Sequence, residues 1–424
     1  MTLLIIGAFC VFFMLGWPVV LAIMLPAIVY ILLNDLPFQL VGQRMTYALD
    51  SFPLVAVPLF ILVGNLMNQA GITERIFRFA DTLVGRVPGG LGQVNIFSSL
   101  IFSGMSGAAL ADVGGLGRIE VKAMTKRGFT PQFSGALTCA SAVVGPIFPP
   151  SIPLIIYGSV TSVSIVQLLL AGIIPALICV VLLMLTVAVM SRWRKFPRSE
   201  RWSRPSEIWR DLKPAAPALL TPVLLVLGML LGFFTPTEAA AVTVVYVLLI
   251  SAFVYRTLSW AHVRFAAYET LKSTSAILII VSAAAIFGWI MAIEQVPQVF
   301  AQQLLSLSTD PLVLLLIVNV ILLLVGMILD STTATLLVIP IIAGPLHMAG
   351  VDPVHLGVVA IFNLMLGLLT PPMGLALFLI TDIARVSMRA ILRELVPFYI
   401  PLVGTLLLIT FFPEISLWLP KMLR

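Results

Sequence analysis

Two short stretches decide the architecture: GPIFPPSIP at residues 145–153 and GLLTPPMG at residues 367–374. Each interrupts an apolar segment that is otherwise long enough to cross a membrane, 133–157 in the first case and 355–380 in the second. Proline removes a backbone N–H and frees a carbonyl, while glycine lets the backbone approach a ligand closely. Freed backbone groups are tolerated at membrane depth only where they are buried in protein or line a wet cavity. The two stretches therefore predict two broken spans.

The composition excludes a soluble protein. Hydrophobic residues make up 60% of the 424 residues and charged residues 10%, whereas soluble chains have roughly 45–50% and about 25%. We therefore expect an all-α polytopic membrane protein. The net charge of +6 does not indicate nucleic acid, because the bases lie in short loops where they set topology. The three cysteines form no CxxC or Cys/His cluster, so a disulfide framework and a zinc site are unsupported.

Nine apolar segments are candidates for spans, which take about 20 residues each in a helix. They are 3–33, 54–70, 133–157, 166–190, 215–233, 237–256, 273–293, 355–380 and 395–412. The first is expected to be a retained span, because it has no basic n-region and exceeds the roughly 7–15 residues of a signal core. The segment 192–213 carries eight bases against three acids, which predicts a cytoplasmic loop.

Two further apolar segments, 91–117 and 311–339, differ from these spans because both ends of each are predicted to lie on the same side of the membrane. The first is flanked by the basic segments 71–87 and 118–127, both predicted to be cytoplasmic. Its 27 residues cannot cross twice at about 1.5 Å per residue, so it should enter and return as a re-entrant hairpin. The flanks of 311–339 carry no base, which predicts a second hairpin from the other side. The segment 71–87 also has the mixed helical pattern of a helix along the membrane surface.

The two hairpins belong to an internal repeat. At a shift of 222 residues without gaps, eight glycine or proline positions coincide. The pairs are Gly104 with Gly326, Gly128 with Gly350, Pro131 with Pro353, Gly135 with Gly357, Gly145 with Gly367, Pro149 with Pro371, Pro150 with Pro372, and Pro175 with Pro397. The bases of 118–127 have no counterparts at 340–349, whereas the uncharged segment 159–165 corresponds to 381–394, which carries three arginines. Because the basic and uncharged loops swap sides, the copies should face opposite ways.

This pattern divides the chain into three parts. Residues 1–190 form the first inverted repeat, 191–236 the basic loop and linking span, and 237–424 the second repeat. The N-terminus is expected in the cytoplasm and the C-terminus on the opposite side. Inverted repeats place a transport site at their interface near the midplane, on discontinuous helices.

The candidate ligands lie at four breaks: the hairpin ends within 102–117 and 326–340, and the two broken spans. Unwound carbonyls and hydroxyls suit Na⁺, and half-helix N-termini suit a carboxylate. The predicted Na⁺ ligands are Ser103, Gly104, Ser106, Ser141, Gly145, Pro149, Gly326, Asp330, Thr332, Asn363, Gly367 and Thr370. The predicted substrate ligands are Ser106, Asp112, Ser151, Ser331 and Thr333. We expect no cofactor and no metal other than Na⁺.

Each of these residues has a structural alternative. A hydroxyl can bond the carbonyl four residues earlier or contact a neighbouring helix. Asp112 and Asp330 are costly in a membrane, which favours a functional role, but either can cap a helix or stabilise a hairpin. They do not coincide at the shift of 222, so their roles need not match. Glu238, in FFTPTEAAA, can simply cap a helix after Pro236.

An enzymatic function has little support. GMSGA at 104–108 lacks the final glycine of GxSxG. The GGLG groups at 89–92 and 114–117 lack the strand–helix context of a phosphate loop and fit turns at the hairpin boundaries.

The chain resembles the large membrane subunit of TRAP (tripartite ATP-independent periplasmic) transporters over nearly its whole length. The matching stretches are SFPLVAVPLFILVGNLMNQAGI (51–72), FSGMSGAALADVGGLG (102–117), GPIFPPSIPLIIYG (145–158), FFTPTEAAAV (233–242) and LLTPPMGLALFL (368–379). The resemblance implies a Na⁺-driven importer of organic anions, such as C4-dicarboxylates or sialic acid, with elevator-type movement in the bacterial inner membrane. It also implies a four-helix small membrane subunit, expected as a separate chain, and a periplasmic substrate-binding protein. The competing hypotheses are a stand-alone carrier of a related inverted-hairpin fold, a channel and an intramembrane enzyme.

Overall fold

The computed structural model describes residues 2–198 and 203–422, and within them every regular element is helical. The first half contains α1 (Thr2–Met14), α2 (Val19–Leu33), α3 (Gln39–Leu49), α4 (Ala56–Gln69), α5 (Ile72–Val84), α6 (Leu91–Ser106), α7 (Ala109–Gly114), α8 (Leu116–Lys126), α9 (Pro131–Ala142), α10 (Ile152–Thr161) and α11 (Ile165–Arg194). The second half contains α12 (Pro205–Leu230), α13 (Pro236–Leu249), α14 (Trp260–Ile293), α15 (Val296–Leu307), α16 (Pro311–Gly326), α17 (Ser331–Met348), α18 (Pro353–Gly367), α19 (Leu375–Ala384), α20 (Met388–Phe411) and α21 (Glu414–Met422). A 3₁₀ turn at Phe52–Val55 precedes α4, and a π-helical segment at Ile250–Val254 follows α13. Seven helical segments of the described chain are long and apolar enough to cross a membrane, which confirms the all-α polytopic class.

The apolar run 3–33, predicted to be a single first span, is two helices. Gly16 has a φ of +79° and Pro18 lies directly before α2, so the chain turns between α1 and α2. The two helices pack against each other, and their 13 and 15 residues fall short of the about 20 that a span needs. The single-span prediction is therefore wrong. The predicted cytoplasmic position of the N-terminus assumed that this run crosses the membrane once, so that prediction loses this support.

Both hairpins are present as pairs of packed helical arms. α6 turns through the short α7 into α8, and α16 turns into α17 at residues 327–330. Both second arms run past the predicted ends at 117 and 339, to Lys126 and Met348.

The basic segment 118–127, predicted to be a loop, is therefore mostly helix α8. Leu116, Glu120 and Met124 recur every four residues and are buried, while Arg118 and Lys122 on another face are exposed. The loop prediction is wrong because the bases concealed this helical pattern.

The two broken spans were predicted correctly. α9 and α10 are separated by residues 143–151, and α18 and α19 by residues 368–374. The peptide bond between the two prolines is cis in both breaks. Each broken span thus consists of two half-helices joined by irregular backbone.

The shift of 222 residues recurs in the helix positions. α9 begins at Pro131 and α18 at Pro353, and the preceding turns hold Gly128 at φ +92° and Gly350 at φ +95°. Positive φ is open to glycine at little cost, so the same residue recurs where the same turn does. The three-part division of the chain and the opposite orientation of the copies stay predictions.

The remaining helices pack around the two hairpins and the two broken spans. α11 packs against α18 and α20, α14 packs against α2, α3, α4 and α17, and α12 packs against α5 and α13. The segment predicted to lie along the membrane is α5, whose apolar face meets α6 and α12. The basic segment 192–213 includes the end of α11 and the start of α12, and its residues 199–202 lie outside the described part of the chain.

Glu238 caps α13, as its structural alternative predicted. The backbone N–H of Thr235 donates to Oε2 of Glu238 over 2.8 Å, and the N–H of Glu238 donates to Oγ1 of Thr235 over 3.3 Å. The two residues therefore form a reciprocal capping box.

Candidate functional site

A cavity of about 690 Å³ lies where the four predicted breaks meet. Ser106 and Ala108 line it from the end of the first hairpin, and Asp330 and Ser331 from the end of the second. The broken spans contribute Pro146, Ile152, Met365 and Leu368. α4 and α14 form the remaining wall. Its volume is within the roughly 300–1,000 Å³ of small-molecule sites.

The carboxylate of Asp112 lies beneath the first hairpin end. Asp112 is 2% exposed and is not among the cavity-lining residues. Ser106 Oγ donates to its Oδ1 over 2.5 Å, while no group in the described part of the chain donates to its Oδ2. A Cβ on Gly145 would lie 2.8 Å from that Oδ2, so glycine leaves the oxygen open toward the first break. A buried oxygen without a donor is costly unless a cation or another donor reaches it.

The second break has a comparable oxygen on Asn363. Its Nδ2 donates to the backbone O and the Oδ1 of Asn319, both over 2.8 Å, while its own Oδ1 accepts from none of the described residues. Asn363 is fully buried and lies one turn before Gly367. Each repeat-related break thus holds one buried side-chain oxygen that the described chain leaves unsatisfied.

Close backbone contacts join each hairpin end to its break. A Cβ on Gly367 would lie 2.3–2.6 Å from the backbone of Gly326, closer than any side chain allows. The N–H of Met373 donates to the carbonyl of Met327 over 3.2 Å. In the first copy, the N–H of Ile152 donates to the carbonyl of Gly107 over 3.2 Å.

Asp330 adopts the geometry of a helix cap. Its Oδ2 accepts from the backbone N–H of Thr332 over 2.9 Å and from that of Thr333 over 3.1 Å. Its Oδ1 accepts from the hydroxyl of Thr333. The carboxylate lines the cavity, but its partners are those of the structural alternative, an N-cap of α17.

Several of the other candidate hydroxyls bond nearby groups. Ser103 donates to the carbonyl of Leu100 over 2.6 Å, Thr370 to that of Leu366 over 2.7 Å, and Ser141 to Oδ1 of Asn95 over 2.9 Å. Ser151 caps α10 by accepting from the N–H of Leu154 over 3.2 Å, and it donates to the carbonyl of Pro146.

The candidates therefore divide by position. Ser106, Asp330, Ser331 and Thr332 line the cavity, while Ser103, Ser141, Gly145, Asn363 and Gly367 are buried around the breaks. Gly104 faces elsewhere, since a Cβ there would lie 2.7 Å from Pro222 of α12.

Sequence reasoning missed a buried polar network behind the first hairpin. Glu120 is fully buried, and its carboxylate accepts from Asn95 Nδ2 over 2.7 Å, Ser98 Oγ over 2.7 Å and Thr138 Oγ1 over 3.3 Å. The Oδ1 of Asn95 accepts from Ser141, to which Ser99 also donates over 3.1 Å. The available signal was the position of Glu120 midway between Leu116 and Met124, which places the carboxylate on the buried face of α8.

Sequence reasoning also missed Arg118. Its side chain lines the cavity together with Glu269 and Ser273 of α14. It was assigned to a basic flank, and no local pattern distinguishes a base in a loop from one at the mouth of a cavity.

Paired hairpins and broken helices that converge on one polar cavity define a membrane protein of the transporter class. Residues 6–415 match the family described as "Tripartite ATP-independent periplasmic transporter, DctM component". The chain belongs to this family, as the large permease subunit of a TRAP transporter.

Relatives over nearly the full length support this assignment. The chain is 44% identical to the sialic acid TRAP transporter large permease protein SiaM of Vibrio cholerae, covering 96% of this chain and 95% of that protein. It is 32% identical to the C4-dicarboxylate TRAP transporter large permease protein DctM of Pseudomonas aeruginosa, covering 88% and 87%. It is also 32% identical to the 2,3-diketo-L-gulonate TRAP transporter large permease protein YiaN of Escherichia coli, covering 95% and 94%.

A solved structure shares the fold. The YdaH transporter of Alcanivorax borkumensis, described as having an unusual topology, aligns with a TM-score of 0.64 over 88% of this chain and 87% of that one. The sequences are 16% identical, so the likeness concerns the fold alone.

Proposed function

We propose that this chain is the large permease subunit of a Na⁺-coupled importer of organic acid anions in the bacterial inner membrane. The relatives named for sialic acid, C4-dicarboxylates and 2,3-diketo-L-gulonate support the substrate class. Membership in the family supports two partners, a small membrane subunit, expected to have four helices, and a periplasmic binding protein that selects the anion.

The two unsatisfied buried oxygens carry the proposal of Na⁺ coupling. Oδ2 of Asp112 and Oδ1 of Asn363 are hard ligands of the kind that small cations prefer. Oδ2 of Asp112 lies beside Gly145 of the first break, and Asn363 lies one turn before Gly367, where α18 ends. We assign Asp112 to a first cation site rather than to the substrate, and Asn363 to a second. Asp330 is left outside the ligand set because the start of α17 occupies its oxygens.

Movement of the hairpins and broken spans past α4, α12 and α14 would carry the substrate in an elevator mechanism. In this proposal the hairpins are re-entrant, and their ends meet at the cavity from opposite sides of the membrane. The anion would bind at the cavity surface, to groups such as Ser106 and Ser331.

Uptake into proteoliposomes tests this function. The permease is reconstituted with its small subunit, and the binding protein is loaded with labelled sialic acid and, separately, with a labelled C4-dicarboxylate. We expect uptake that needs the binding protein and an inward Na⁺ gradient. Full uptake on ATP without Na⁺ would contradict the proposal, and equal uptake without the binding protein would indicate a stand-alone carrier.

A further inference from the structure

The cavity between the hairpin ends is lined by more acidic than basic side chains. Among the described residues that line it, Arg118 is the single base, and Glu269 and Asp330 are the acids. The oxygens of Asp330 already accept from the first turn of α17. The charges that remain available to a ligand are therefore one guanidinium and one carboxylate, which belong to different helices.

Arg118 is free to receive an anion. It is exposed, and in the described part of the chain it has no ion pair. Arg127, just past the end of the same helix, is instead held by Asp81 over 2.8 Å. A guanidinium presents a planar fork of donors that matches a carboxylate with two parallel hydrogen bonds. Arg118 also belongs to the first hairpin, so it would stay with a ligand bound at Ser106 if that hairpin moved.

Part of the remaining lining suits hydroxyl groups. Amide and hydroxyl side chains, among them Asn65, Asn68, Ser273 and Thr332, line the space beside apolar ones such as Phe102. Glu269 on α14 can accept from a hydroxyl but would repel a second carboxylate.

We propose that Arg118 binds the carboxylate of a substrate that has one carboxylate and several hydroxyl groups, as sugar acids do. A dicarboxylate would leave its second carboxylate beside Glu269 without a base. This inference rests on the proposed function, because it specifies the anion for the same cavity.

Ligand binding to the purified permease–small subunit complex in Na⁺ tests the inference without the binding protein or a gradient. The probes are N-acetylneuraminate, with one carboxylate and several hydroxyls; succinate, with two carboxylates; and N-acetylmannosamine, which is uncharged. The readout is the rise of the thermal midpoint with ligand concentration. We expect N-acetylneuraminate to bind most tightly, and Arg118→Gln to weaken it about tenfold or more, since hydrogen bonds to charged groups are worth that much.

A matched control removes the same charge from the same helix. Lys122, one turn after Arg118, is exposed and does not line the cavity, so Lys122→Gln should bind all probes as the wild type does. Arg118→Lys should retain part of the affinity. Tighter binding of succinate, unchanged binding in Arg118→Gln, an equal loss in Lys122→Gln, or no response to any probe would each overturn the inference. If Arg118→Gln binds the probes as the wild type does and still shows Na⁺-driven uptake, the inference about Arg118 fails but the proposed function stands.

Discussion

Asp112 and Asp330 are both aspartates at hairpin ends, yet their carboxylates meet different partners. Asp330 accepts two backbone N–H groups and a hydroxyl at the start of α17. Asp112 accepts a hydrogen bond from one hydroxyl, and its second oxygen, beside Gly145, has no donor among residues 2–198 and 203–422. At the scale of single residues, the hydrogen-bond partners rather than the residue type therefore distinguish the two positions.

The same change, aspartate to asparagine, should act differently at the two positions. Asp330→Asn should leave the Na⁺ dependence of uptake nearly unchanged, because asparagine caps a helix almost as well as aspartate. Asp112→Asn removes a negative charge from the first proposed cation site and should raise the Na⁺ concentration for half-maximal uptake about tenfold or more, the range of a lost charged hydrogen bond. Uptake against Na⁺ concentration measures both.

The reverse result would restore Asp330 as a Na⁺ ligand. Asp330→Ala serves as the structural control, since losing a cap costs about 0.5–2 kcal/mol of stability. It should therefore lower the thermal midpoint, whereas Asp330→Asn should not.

At the scale of elements, the two hairpins have the same helical plan but different interiors. The first is held by Glu120 with Asn95, Ser98 and Thr138. The positions 222 residues later are apolar: Ile342, Ile317, Val320 and Ala360. The Glu120 network of the first hairpin is therefore not repeated at these four positions, and the polar contact of the second hairpin is instead that of Asn319 with Asn363.

Glu120→Leu should destabilise the protein strongly. It removes an acceptor shared by three buried donors, and each group left unsatisfied costs about 1–3 kcal/mol. Asn95 Nδ2 and Ser98 Oγ keep a second acceptor, Thr138 Oγ1 and the carbonyl of Asn95. The purified complex should show a thermal midpoint lower by several degrees, and Glu120→Gln should lie between Leu and the wild type. Adding Asn95→Leu to Glu120→Leu should cost less than the sum of the two single changes, because pairs in one network are not additive. Strict additivity would show that the network does not act as a unit.

The helices and their interruptions could be predicted where proline, glycine or charged residues mark an interruption in the sequence. The double prolines at 149–150 and 371–372 predicted both broken spans, and the charges of the flanking segments predicted both hairpins. The turn between α1 and α2 was missed because a run with no charge reads as one span, although Gly16 and Pro18 stand in its middle. Contacts such as Glu120 with Thr138, or Gly326 with Gly367, depend on tertiary packing that no local pattern contains.

At the scale of the whole molecule, the opposite orientation of the copies is the main untested prediction. It places 118–127 in the cytoplasm and 340–349 outside. Lys122 and His347 are both exposed, so each can be replaced by cysteine in a chain whose Cys10, Cys139 and Cys179 have been removed. A membrane-impermeant thiol reagent added to right-side-out and inside-out vesicles should label the two positions from opposite sides. Labelling of both from one side would reject the inverted repeat.

The polar network of the first hairpin also bears on the energetic barrier to movement. All its members lie on α6, α8 and α9, that is, within one hairpin and the half-helix beside it. A displacement of this unit as a rigid body would uncover none of these hydrogen-bonding groups to lipid, where each unsatisfied one costs several kcal/mol. In the second hairpin, Asn319 bonds Asn363 of α18 and Thr410 of α20, so a movement that keeps α16, α18 and α20 together would leave these hydrogen bonds intact as well. The barrier would then depend mainly on whether the groups at the two hairpin ends, Arg118 and the open oxygen of Asp112 among them, have bound their ligands.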